Sequence, residues 1–81
     1  MIIKVTKKHI KEGKCGSYRN CPIALALKSK GFTRVYVDGG DVRAHNSAGF
    51  IDANLPIRAM KFIVKFDSGR PVKPFSFRIQ N

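Results

Sequence analysis

With 81 residues, 43% of them apolar and 26% charged, the chain has the composition of one folded domain and not of a disordered tail. Its 16 Lys and Arg against five Asp and Glu, a formal charge of +11, point to a polyanionic or acidic partner and oppose self-association through the basic surfaces. No apolar run reaches the ~18–20 residues of a membrane span and the first residues lack a signal peptide's apolar centre, so the expectation is a soluble, cytoplasmic protein with no membrane partner.

In chain order, Ile2-Ile3-Lys4-Val5 is a short β-favouring run, and Thr6 is placed to cap a turn of helix, Lys7 to Glu12, that ends at Gly13. That helix is polar apart from Ile10. Lys14 to Arg19 reads as a loop carrying Cys15, Tyr18 and Arg19. The stretch Asn20 to Gly31 is apolar on nearly every side. Asn20 or Cys21 serves as N-cap, Pro22 takes the first helical position, Ile23 to Leu27 supply core, and Lys28 and Lys30 meet the negative end of the dipole before Gly31 stops the helix. A helix of roughly two and a half turns is marginal alone in water, so its stability has to come from tertiary packing.

Phe32 to Val37 alternates and is rich in β-branched residues, which predicts a strand. Asp38-Gly39-Gly40-Asp41 predicts a hairpin turn whose glycines take positive φ, with Val42 to His45 as the antiparallel return. Asn46 to Ala53 is less defined: Gly49-Phe50-Ile51 either extends the sheet or tucks Phe50 and Ile51 under a loop. Pro56 to Asp67 has Leu55, Ala59, Phe62, Ile63 and Phe66 at helical spacing with Met60 beside them, and Arg58, Lys61 and Lys65 on the opposite face; Ser68-Gly69 ends it. Arg70 to Pro74 is an extended connector, after which Phe75, Phe77 and Ile79 alternate with Ser76, Arg78 and Gln80 in a final strand.

The order β, α, β, β, α, β, with a small extra helix after the first strand, predicts an α+β domain of the ferredoxin-like or split βαβ type. Such a domain is a four-stranded antiparallel sheet with both main helices on one face. Ile3, Val5, Val35, Val37, Val42, Ala44, Phe75, Phe77 and Ile79 would face the helices. Lys4, Arg34, Tyr36, Arg43, His45, Ser76 and Arg78 would share the reverse face, because neighbouring strand residues point to opposite sides.

Thr6-Lys-Lys-His9-Ile10 with Gly13, then Cys21-Pro-Ile-Ala-Leu-Ala-Leu27, then Phe66-Asp-Ser-Gly-Arg-Pro-Val72 and Pro74-Phe-Ser-Phe77 follow one another in a distinctive order. In that order and spacing the chain resembles a group of small uncharacterised proteins of bacteriophages and some bacteria. The resemblance implies a common fold. The group has no assigned activity, so no functional residue carries over, and its members are often neutral or acidic, which ties the charge of this chain to a particular partner. A phage setting implies, by analogy, a protein that binds and redirects host machinery.

Two basic surfaces are candidate sites. On the reverse sheet face Lys4, Arg34, Arg43 and Arg78 surround Tyr36 and His45, so that phosphates would meet the cations while Tyr36 stacks on a base. Against this, one aromatic stands where RNA-recognition domains place two or three, Tyr36 is on an expected edge strand, and no Lys-Gly-Phe-Gly-Phe-like signature is present. The same face reads equally as an ordinary solvated surface. The second candidate is Lys7, Lys8, Lys11, Lys14 and Arg19, joined by Lys28 and Lys30, with Glu12 the only acid in the first thirty positions. Arg58, Lys61 and Lys65 read as a solvated helix face.

Cys21 at a helix start is either a thiolate of lowered pKa, with His9 or His45 as its base, or a buried structural thiol; the apolar helix beside it favours the second. His9, Cys15, Cys21 and His45 are ligand types for zinc, but their spacing matches no finger pattern. Gly39-Gly40 lacks the Lys-Ser or Lys-Thr of a phosphate loop, and the five acids are too scattered for paired acid–base work.

The expectation is therefore a small basic binding protein and not an enzyme, without cofactor or metal, that engages nucleic acid or a nucleic-acid-processing complex. Its binding residues would be Lys4, Lys7, Lys8, Lys11, Lys14, Arg19, Arg34, Tyr36, Arg43, His45 and Arg78. The alternative is a host-takeover inhibitor, directed at a CRISPR, transcription or nuclease complex, that docks on an acidic or nucleic-acid-binding surface of a host protein. Either would be a monomer or a small homo-oligomer paired through Phe50, Ile51 or an open strand edge.

Overall fold

The elements run β1 (Ile2–Val5), α1 (Lys7–Glu12), α2 (Pro22–Ser29), β2 (Thr33–Val37), β3 (Asp41–Asn46), β4 (Gly49–Asn54), α3 (Ile57–Asp67) and β5 (Phe75–Arg78), in a computed structural model that describes residues 1–79. Gln80, expected in the final strand, lies outside the described residues.

Of the two expected caps for α2, Cys21 is the one used: its Sγ accepts from the backbone N–H of Ala24 at 3.4 Å, with Pro22 at the first helical position. At the other end Gly31 takes φ +101°, Gly31 N–H donates to Lys28 O at 3.0 Å and Phe32 N–H to Leu27 O at 3.2 Å. This is a Schellman termination, which needs a residue without Cβ at the left-handed position. Pro22, Ile23, Ala24, Ala26 and Leu27 are buried, and α2 packs on α1, β1 and β2. Fully burying Ile23 and Leu27 is worth about 1.5–3 kcal/mol each, which is how so short a helix persists.

The fold is α+β with three helices and two antiparallel sheets. β1 pairs with β5 in one sheet, and β2, β3 and β4 form the other in that order. The expectation of a single four-stranded sheet is corrected here, and the reason is the segment left open in the sequence. Gly49 to Asn54 folds back on β3 through a two-residue turn, Ser47-Ala48, so that Asn46 faces Gly49 and Asp41 faces Asn54. β4 thus occupies the edge of β3 that β1 would have needed.

The inward-facing sets of the strands hold across both sheets, with one break in alternation at the start of β2. Ile3, Val5, Val35, Val37, Val42, Ala44, Phe77 and Ile79 are buried as expected, and Phe75 is half-buried against them. β4 adds Ile51 and Ala53, α3 adds Ala59 and Phe62, and all of these belong to one core with α2. Phe62 and Phe75 stack at 4.6 Å, tying α3 to β5.

The hairpin between β2 and β3 forms where the turn residues place it, by a different device. Neither Gly39 nor Gly40 has positive φ; the Asp38 carboxylate instead accepts from Gly40 N–H at 3.0 Å and Asp41 N–H at 2.9 Å. These two bonds hold the Asp38 carboxyl below its usual range, with the Arg43 charge adding to them.

Candidate nucleic-acid interface

The outer face of β2, β3 and β4 is built by register. Tyr36 lies opposite Arg43 and Arg43 opposite Asp52, while the next row places Thr33 opposite His45 and His45 opposite Phe50. Directly opposed residues share a face, so this surface presents Tyr36, Arg43, His45, Phe50 and Asp52 together. Along β3 the two rows are two residues apart, about 7 Å at ~3.4 Å per residue.

Two residues not counted in the sequence-derived site complete it. Tyr18, from the loop before α2, packs its ring on Tyr36 with centroids 5.1 Å apart, and its carbonyl accepts from Val37 N–H at 2.7 Å. The loop therefore pairs with the open edge of β2 at its last residue as well as supplying an aromatic. Phe50 packs on His45 with centroids 4.8 Å apart. Tyr18 and Phe50 nevertheless remain 54% and 53% exposed, so neither is spent on the core. The single aromatic expected on this face becomes two aromatic pairs.

Arg34 sits at an irregularity in β2. The pairing slips by one residue between Thr33 and Tyr36, and Arg34 takes φ +50°, the only non-glycine with positive φ among the described residues. The bulge leaves both Thr33 and Arg34 exposed before strict alternation resumes at Val35. A left-handed arginine beside exposed aromatics is strain of the kind that accompanies binding sites.

The charges on this face are nearly balanced: Arg43 shares it with Asp52 and Asp41, and the Arg43 charge also reaches Asp38. Arg43 Nε lies 3.8 Å from Asp52 Oδ2, the one ion pair among the described residues, and both side chains are more than half exposed. Such an exposed pair contributes little to stability.

The remaining predicted residues do not join this face. Lys4 on β1 lies opposite Ser76, and Arg78 on β5 lies opposite Ile2, so both belong to the other sheet; the expected continuous surface is divided. Lys4 lines a groove with Thr6, His9, Ser29 and Lys30, whereas Arg78 lines another with Asn54, Pro56 and Arg58. Lys7, Lys8 and Lys11 are exposed on α1, with Lys14 and Arg19 exposed in the loop that follows. Lys28 donates to Asn20 at 3.2 Å and Lys30 to the carbonyl of Ile2.

The cysteines and His9 are engaged locally. Burial pushes the Cys21 thiol up from its ordinary value, against the backbone bonds that would lower it, which corrects the activated-thiolate reading. Cys15 is exposed and its thiol meets Phe66 O at 3.2 Å. His9 is held between Thr6, whose backbone N–H donates to Nδ1 at 3.0 Å, and Ser29, whose hydroxyl lies 2.9 Å from Nε2. Among the described residues no three His, Cys, Asp or Glu side chains converge on a metal position.

Comparisons with protein-family models, with curated proteins and with solved structures find no match to this chain.

Proposed function

We propose that the protein is a binding module, not a catalyst, and that the outer face of β2, β3 and β4 takes single-stranded nucleic acid in the cytoplasm. The observation that supports this reading is the placement of two aromatic pairs, exposed Tyr18 on half-buried Tyr36 and exposed Phe50 on half-buried His45, on one face with Arg43 and next to the bulged Arg34. Scattered exposed aromatics need no explanation, but two pairs in adjacent rows, one on the β2 side and one on the β3–β4 side, offer two separate stacking platforms on one surface. Bases stack on such platforms without sequence preference while arginines meet the phosphates. Lys7, Lys8, Lys11, Lys14 and Arg19, exposed on α1 and the loop after it, supply the long-range positive potential that draws a polyanion to the protein. The unpaired thiols of Cys15 and Cys21 fit a reducing compartment.

The experiment is a titration of a labelled single-stranded oligonucleotide, followed by anisotropy at several salt concentrations, beside a duplex of the same sequence. The module reading expects the single strand to be preferred and log affinity to fall linearly with log salt. Equal binding of strand and duplex, undisturbed by Tyr36→Ala, would overturn the role of this face and leave generic attraction by the +11 chain. The phage-type inhibitor reading instead expects nucleic-acid affinity to be weak and one host protein to be held tightly after nuclease treatment.

A further inference from the structure

The helix α3 carries more apolar residues than the core consumes. Ala59 and Phe62 are buried, and Met60, Ile63 and Phe66 lie half-buried against the core. Ile57 and Val64, seven positions apart, stand 65% and 62% exposed. With Met60 between them they form a stripe at i, i+3 and i+7, the spacing with which one helix reads another. The stripe lines a shallow groove of about 420 Å³ together with Lys61, Lys65 and Arg70. None of these lining residues is acidic, and the nearby Asp67 is engaged by Gly16 N–H at 3.0 Å.

We propose that this face docks an acidic amphipathic helix of a partner protein, a site independent of the nucleic-acid reading of the sheet. Apolar side chains of the partner fill the space between Ile57, Met60 and Val64, and its flanking carboxylates meet Lys61, Lys65 and Arg70. The groove is aliphatic, with no exposed ring for a base to stack on, which separates it chemically from the Tyr18 and Phe50 face. A second copy of this chain is a poor occupant, because a two-fold contact would bring the two sets of three cations together. The complementary charge has to come from a different molecule.

The test uses the full chain and a labelled synthetic helical peptide with leucines at helical spacing flanked by glutamates. Its controls are a scrambled peptide of the same composition and the same helix with lysines replacing the glutamates. The helical acidic peptide is expected to bind at least ~10-fold more tightly than either control at physiological salt. Ile57→Ser with Val64→Ser is expected to lose ~10-fold or more while leaving oligonucleotide affinity unchanged, and both sites are exposed enough for the fold to survive. Lys61→Glu with Lys65→Glu should reverse the preference toward the lysine peptide, a gain that misfolding cannot imitate. The proposal is overturned by failure of the helical peptide to bind, by equal binding of the scrambled peptide, or by indifference to the paired serine substitutions. It is equally overturned if those substitutions instead abolish self-association or binding to anionic lipid vesicles.

Discussion

Tyr18 and Tyr36 are held by two contacts at once: their rings pack at 5.1 Å and 37°, and the Tyr18 carbonyl accepts a 2.7 Å hydrogen bond from Val37 N–H, the residue after Tyr36. The backbone bond positions the loop whatever the side chains are, so the rings are available to be altered without unpinning it. Tyr36→Ala and Phe50→Ala are each expected to weaken single-strand binding by about 1–3 kcal/mol. Tyr18→Ala should cost less alone. In a double-mutant cycle with Tyr36→Ala its effect should be less than additive, since part of its role is to orient Tyr36. Oligonucleotide titrations of the four proteins in the cycle check this, and strict additivity would mean two independent platforms.

Arg34 stores strain beside that pair. A left-handed conformation costs an L-residue about 1–2 kcal/mol, and glycine removes most of that at some cost in unfolded-chain entropy. Arg34→Gly is therefore expected to raise unfolding stability by about 0.5–1 kcal/mol and to lower nucleic-acid affinity. Arg34→Val, branched at Cβ, should lose stability by at least as much. Urea unfolding of the two variants orders them as Gly above wild type above Val; a Gly variant less stable than wild type would show the bulge to be held by the arginine side chain.

Much of this fold is legible from periodicity. Buried α2 follows from its all-round apolar composition and from Pro22 and Gly31 at its ends, and the inward sets of β1, β2 and β3 follow from alternation. β4 was readable in principle, because Ile51, Ala53 and Leu55 are buried and alternate with exposed Phe50, Asp52 and Asn54. Its polar residues and the two glycine-free turn positions, Ser47 and Ala48, weaken that signal. Once β4 is missed, the division into two sheets is missed too, and Lys4 and Arg78 are assigned to a face they do not share. Tyr18 has no periodic signal at all. A loop residue reaches a sheet only through tertiary contacts, so its partnership with Tyr36 is not written in local sequence. The turn at Asp38 shows the converse: the right residues predicted the right turn, although a carboxylate and not glycine φ makes it.

His9 gives the fold a pH dependence. Burial is the largest cause holding its pKa below the ordinary 6.5, with Lys8 acting in the same direction and Glu12 against. Thr6 N–H already donates to Nδ1, so a proton arriving there breaks the capping box of α1. Just below pH 6.5 the unfolded chain takes up a proton that the folded chain refuses. Stability from this source is complete above 6.5, declines as pH falls through that value toward the lowered folded pKa, and is flat below it. His9→Gln keeps a side chain suited to the box and should abolish this part of the slope. Urea unfolding of both proteins between pH 7.5 and pH 5 measures it, and the difference isolates His9 because His45 is common to both.

Gly13, which ends α1, has an ordinary φ of −70°, so conformation does not require glycine there. Space does. A Cβ at this position would lie 2.6 Å from Cδ and Cγ of Pro22 and 2.8 Å from its backbone nitrogen, where α1 meets the start of α2. Overpacking of this kind costs typically 1–3 kcal/mol, and Gly13→Ala is expected to fall in that range. Gly69 is the contrasting case, with φ +75° and open space around it, so Gly69→Ala should lose stability through backbone strain alone. Pro22→Ala separates the two causes. It removes the ring carbons that a Cβ on residue 13 would meet, so it should recover part of the loss in Gly13→Ala and none of the loss in Gly69→Ala. Thermal unfolding of the two double variants decides it. Equal lack of rescue would move the cause from the proline ring to the approach of the α2 backbone itself, and the contact would then be one that only glycine permits.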